Sequence, residues 1–200
     1  RKRTGVYAPM ELSPELKAKV TPFNAPGKDG EMKGRVFVVK DWDKWGMDGR
    51  LKFLREYVEH TARDPAIADL ATSIIREAGV KDRDYRAQWA ALLKWVQHNI
   101  TYVNEPNERL QGPQFTLTKR LGDCDDCAIL LAALGYSIRL PFKFTISGRQ
   151  RGTGAKMRWI EGVGPVPANV DWAHIYLCCG WPCFEPTTWI FWRQRPCAEV

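Results

Sequence analysis

Gly122-Asp-Cys-Asp-Asp-Cys-Ala-Ile-Leu-Leu-Ala-Ala-Leu134 is the stretch on which the reading of this chain turns. Ala128, Leu131, Ala132 and Leu134 are strong helix formers, so the run predicts a buried helix that opens at Cys124 and ends at Gly135. A cysteine in that place lies against unpaired backbone N–H groups and the positive end of the helix dipole. Both favour a thiolate, so the expectation is a thiol pKa lowered toward neutral and a nucleophilic Cys124. The same N–H groups can hold the oxyanion formed when a thiolate attacks a carbonyl. Asp125 and Asp126 fall in the first turn, where carboxylates complement the dipole and read as helix caps.

A nucleophile needs a base, and the chain has three histidines. His60 and His98 fall at the C-terminal ends of predicted helices, where an imidazole caps carbonyls. His174 instead begins a predicted strand and shares a face with Tyr176 and Cys178. A hairpin through Gly180 brings the Trp181 to Glu185 strand alongside, so Glu185 can orient the imidazole. Nucleophile, base and orienter on a helix followed by a sheet is the arrangement of papain-like catalysis.

Upstream, three amphipathic helices are expected. Asp48 caps the first, which runs to His60 with Leu51, Leu54, Tyr57 and Val58 on one face. Asp64-Pro65 opens the second, with Ile67, Leu70, Ala71, Ile74 and Ile75 inward and Gly79 ending it. The third spans about Asp82 to Asn99, with Tyr85, Trp89, Leu92, Leu93 and Val96 at helical spacing. Ile100 to Val103 reads as a short strand or extended exit, and Asn104 to Leu121 as a polar connection without period. Downstream the pattern turns to β over Phe142 to Ser147, Ala173 to Cys179, Trp181 to Glu185 and Thr188 to Trp192. Residues 148 to 171 form a long loop or ragged hairpin. Residues 1–47, with four prolines and a single β-like run at Arg35 to Lys40, read as an extended basic arm for docking, and 48–200 as the folded domain. Trp42 and Trp45 either pin that arm or face a partner protein.

The fold class that follows is α+β: N-terminal helices and a catalytic helix packed on an antiparallel sheet. The Gly122 to Leu134 stretch, preceded by Trp95-Val-Gln-His-Asn-Ile-Thr-Tyr-Val103 and followed by His174-Ile-Tyr-Leu and Phe184-Glu-Pro-Thr187, resembles the transglutaminase-like superfamily of cysteine enzymes over roughly residues 65 to 192. The resemblance implies a papain-like core with Cys124 as nucleophile, His174 as base and Glu185 as the third member, a Glu where the family pattern has Asp. It implies an enzyme of the cysteine peptidase or amidase kind acting on a peptide or carboxamide bond. Small proteins of tailed bacteriophages share this layout, which implies a place in a virion, at the tail, or otherwise in the bacterial cytoplasm. Some proteinases of the superfamily bind calcium, a further reading for Asp125 and Asp126 that would need more oxygen ligands.

Composition sets the remaining bounds. No apolar run approaches the roughly 18 residues needed to span a bilayer, so no membrane span is expected. The net charge of +7 suits a polyanion or an acidic partner, yet no nucleic-acid motif accompanies the basic residues, and no specific nucleic acid is expected. The six cysteines all stand at or after position 124, too few for a disulfide scaffold, and with no export-like start they are expected to be reduced. Arg1 in place of Met points to a processed chain or a piece of a longer product. No cofactor is expected; the alternative is a structural assembly protein of the same fold with a zinc or iron–sulfur centre on Cys127, Cys178, Cys183 and Cys197. The extra cysteines otherwise read as small buried hydrophobes, or Cys124 and Cys127 as an oxidised pair.

Overall fold

The structure is a computed structural model, and the residues it describes are 14, 20–22, 36–39, 47–103, 110–150, 157–160, 164–167, 170–178 and 183–184. Expectations for Trp42, Trp45, Cys179, Gly180, Trp181, Glu185, residues 188–192 and Cys197 lie outside them. The chain is α+β, as its pattern predicts. Its helices are α1 (Met47–Thr61), α2 (Pro65–Glu77), α3 (Tyr85–Asn99), α4 (Pro113–Lys119) and α5 (Cys124–Ser137). Among the described residues no helix is long and apolar enough to cross a membrane.

Helix α5 is the axis of the domain. Every residue from Asp126 to Gly135 is buried, because α1, α2, α3 and α4 and three strands pack on it. An all-apolar helix is stable only when surrounded, which the run of Ala and Leu anticipates. The helices around it present their periodic faces: Leu51, Phe53, Leu54, Tyr57 and Val58 from α1, Ile67, Ala71 and Ile74 from α2, and Trp89, Leu92, Leu93 and Val96 from α3. Asp64 caps α2 by accepting from the Ala66 N–H, with Pro65 at the first helical position, and Gly79 ends it at a φ of 64°.

Three expectations for these helices need correction. Helix α1 starts at Met47, so Asp48 stands inside its first turn rather than capping it. Helix α3 starts at Tyr85 with Asp84 as cap, because Arg83 takes a left-handed φ of 65°, which breaks the chain away from helix; Tyr85 is exposed, not on the buried face. Gly135 does not end α5. It lies within the helix because the Trp89 ring packs on it: a Cβ there would come within 2.6 Å of Trp89 Cζ2 and closer still to Cη2. The helix ends instead at Ser137, whose hydroxyl donates to the Leu134 carbonyl.

The strands are β1 (Val20–Pro22), β2 (Val36–Val39), β3 (Thr101–Tyr102), β4 (Leu110–Gln111), β5 (Leu121–Gly122), β6 (Lys143–Gln150), β7 (Met157–Ile160), β8 (Gly164–Pro167), β9 (Val170–Cys178) and β10 (Cys183–Phe184). The β-like run of the N-terminal segment is a strand: β2 pairs antiparallel with β1 and with β4. The polar connection 104 to 121 holds more structure than its lack of period predicts, namely β4, α4 and β5. Gly112 and Pro113 open α4 at its first turn, and seven residues are too few to display a helical repeat. Strands β6 and β9 form one long antiparallel pair, with β10 beside β9, and the hairpin β7–β8 lies between them in sequence, so the described residues of 148 to 171 are strand. Ile175 and Leu177 of β9 are buried in the core against α5.

Candidate active site

The start of α5 is fixed by carboxylates. Asp123, in extended backbone, accepts hydrogen bonds from the N–H groups of Asp125 at 3.2 Å and Asp126 at 3.4 Å. Asp126 reaches back with Oδ2 to the Asp123 N–H at 3.3 Å, closing a reciprocal capping box. Its Oδ1 accepts from the Gln111 N–H at 2.8 Å, so one fully buried carboxylate ties strand β4 to the first turn of α5. Gly122 makes room for it, since a Cβ there would lie 2.9 Å from Asp126 Cβ. Both Asp126 oxygens are thus engaged by backbone, which fits the capping reading and leaves this carboxylate a poor calcium ligand.

Cys124 occupies the first position of α5 and is half-buried. Its sulfur accepts hydrogen bonds from the backbone N–H groups of Ile175 and Asp125, which favour a thiolate. They are outweighed. Burial first, then the Asp125 carboxylate and after it Asp123, push the thiol up from an ordinary 9.0 to about 12. This corrects the expectation of a pKa near neutral: burial, and the carboxylates of Asp125 and Asp123 beside the sulfur, outweigh what the helix start offers a thiolate. The atoms of Asp123, Cys124 and Asp125 that could ligate a metal lie within 4.8 Å of one another, a tight group in which Asp123 is also the helix cap.

Strand β9 carries His174 at the residue before Ile175. Register in β6–β9 shifts there: Ser147 is opposite His174, Gly148 is opposite Trp172, and Ala173 is the extra residue of a bulge. Bulges re-aim the chain beside them and are frequent next to active sites. Glu185 lies one residue beyond β10, outside the described residues. Cys178 and Cys183 are cross-strand partners in the β9–β10 register, whereas Cys127 is buried in α5; the register joins two of the four cysteines named for a metal.

Tyr102 is a neighbour of the thiol that reading the sequence missed. Parallel pairing of β3 with β5 sets it opposite Gly122, two residues before Cys124, and it is 45% exposed. Its phenol is raised by burial and then by Cys124 and Asp123, so the ring stands in the field of the thiol. The sequence signal was slight: a two-residue strand gives no alternation to read. His60 and His98 sit in the last turns of α1 and α3, and His98 Nδ1 lies 2.6 Å from the Lys94 carbonyl, one turn back in the helix.

A family model described as the transglutaminase-like superfamily matches residues 68–190. A solved structure, a candidate cysteine protease from Cytophaga hutchinsonii, is similar at 21% identity with a TM-score of 0.39, over 60% of this chain and 37% of that one. This chain therefore spans little more than a third of that protein's length. No curated protein matches the chain.

Proposed function

Because the chain belongs to the transglutaminase-like superfamily, we propose that it is a cysteine hydrolase of peptide or carboxamide bonds using Cys124, His174 and Glu185. One observation carries the reading: the Cys124 sulfur takes a hydrogen bond from the backbone N–H of Ile175, the residue next to His174. A hydrogen-bonded sulfur and one peptide unit span roughly 7 Å to the His174 Cα, which supports His174 as the base. His174 would take the thiol proton as sulfur attacks the carbonyl carbon. The proton then passes to the leaving nitrogen as the C–N bond breaks, and water, deprotonated by the same imidazole, releases the acyl group. The N–H groups at the sulfur are suited to the oxyanion. Glu185 would hold the ring, and Tyr102 would wall the approach.

The setting of this chemistry is proposed on resemblance to small phage proteins: a component of a virion, at the tail, docked through residues 1–47. A second reading keeps the fold without turnover, as a structural assembly protein. The charges around Cys124 that hold its proton on favour it.

Iodoacetamide alkylation of Cys124 across pH, in wild type and His174→Ala, tests the enzyme reading. Loss of a cation about 4 Å away at an effective dielectric near 20 removes about 4 kcal/mol, so neutral-pH alkylation should fall about a thousandfold. If His174→Ala leaves the alkylation rate of Cys124 unchanged across pH, the structural reading stands instead.

A further inference from the structure

Cys127 is a buried thiol that the proposed chemistry does not use. It lies three residues after Cys124 on the same helix, at the fourth position from its start. Residues three apart on an α-helix have Cα atoms about 5 Å apart, inside the range a disulfide spans. Side chains on a helix lean toward its N-terminus, so Cys127 leans toward the turn that holds Cys124. Cys124 also stands at the first position of α5, ahead of the intrahelical hydrogen-bond ladder. Its N–H has no intrahelical partner, whereas the Cys127 N–H donates to the Asp123 carbonyl at 3.1 Å. The two thiols also share one neighbourhood: Cys124 is among the groups that act on Cys127, and both act on the Tyr102 phenol.

From this pairing we infer that Cys124 and Cys127 form a dithiol that closes to a disulfide when the nucleophile meets a hydroperoxide. The Cys124 sulfur attacks one peroxide oxygen; the S–O bond forms, the O–O bond breaks, and the departing oxygen leaves as water with the thiol proton. Cys127 then attacks the sulfenic sulfur, the S–S bond forms, and the hydroxyl leaves as a second water with the Cys127 proton. Two thiols and hydrogen peroxide thus give one disulfide and two waters. The disulfide removes the nucleophile reversibly and keeps it from the sulfinic and sulfonic acids, which do not return. The inference rests on the enzyme reading for which sulfur reacts first, but its test reads mass rather than turnover.

The reduced full chain is treated with hydrogen peroxide, blocked with iodoacetamide and cut with trypsin, which releases residues 121–139 between Arg120 and Arg139 with both cysteines inside. The expected wild-type peptide is two hydrogens lighter, unlabelled, and restored to two labelled thiols by dithiothreitol. In Cys127→Ala the same dose should add two and then three oxygens at Cys124, irreversibly. A wild-type peptide that stays fully labelled, or gains oxygens as fast as the variant, overturns the inference. Should Cys127→Ala fail to fold, the wild-type mass alone decides. Slow alkylation unchanged by His174→Ala, together with a clean disulfide, would sink the enzyme reading and leave the dithiol.

Discussion

Replacing Gly135 by Ala separates two accounts of why a glycine stands there. As a helix terminator it would need a left-handed φ; it is helical instead, and its missing side chain is what admits the Trp89 ring. Carbon atoms rest at about 3.5 to 4.0 Å, so a new Cβ within 2.6 Å of Trp89 Cζ2 forces the ring back by about 1 Å or more. That ring is 2% exposed between α3 and α5 and has nowhere to go without repacking. Overpacking a tight core costs about 1–3 kcal/mol, against a gain of up to about 1 kcal/mol from replacing a mid-helix glycine by alanine. The net expectation is a loss of about 1–2 kcal/mol, read as a lower urea midpoint with unchanged slope.

The double-mutant cycle is the decisive measurement. Trp89→Leu leaves space at the contact, so in that background Gly135→Ala should become neutral or stabilising by up to about 1 kcal/mol. A Gly135→Ala loss that persists undiminished beside Trp89→Leu would refute the packing account. A gain in the wild-type background would refute it outright.

Two further outcomes follow from the same geometry. Asp126→Ala leaves the buried Gln111 N–H and the half-buried Asp123 N–H without this acceptor and should cost about 2–4 kcal/mol; denaturant unfolding reads the loss, and faster hydrogen exchange at those two amides localises it. At high pH the fold should weaken, because Cys124, Cys127, Tyr57 and Tyr102 are all raised in the native state. Each is an acid held protonated by folding, so its contribution is complete below its unfolded pKa, about 8.5 for Cys and 10 for Tyr, and drains away as pH rises through the native value. Stability flat from pH 8 to 11 would contradict those shifts.

The parts of the fold that were legible in the sequence are the ones decided locally. Asp64-Pro65 and Gly79 bound α2 by backbone chemistry alone, and the apolar spacing of α1 and α3 names the faces that meet α5. What was not legible was decided by distant residues. Gly135 looks like a stop until Trp89, far back in the chain, is known to fill its space. Helix α4 and strand β4 are too short to repeat, and a single carboxylate from the next helix, Asp126, bonds to β4. Within the candidate site, the helix start at Cys124 was readable, but Tyr102 and the Ile175 N–H reach the thiol only through strand pairing.

The electrostatics of Cys124 narrow how any catalysis there could run. A thiol pushed up to about 12 is ionised to only about one part in a hundred thousand at neutral pH. Pairing with a nearby imidazolium, worth about 4 kcal/mol at an effective dielectric of 20, returns it to about the range of a free thiol and no further. A standing thiolate–imidazolium pair of the strongly acidic kind is therefore not what these neighbours build. Asp123 cannot simply be dispensed with, because it makes the capping box that holds the helix start. The workable route is general-base transfer, in which the imidazole removes the proton during attack and the thiolate never accumulates. Such a site is quiet until an electrophile arrives.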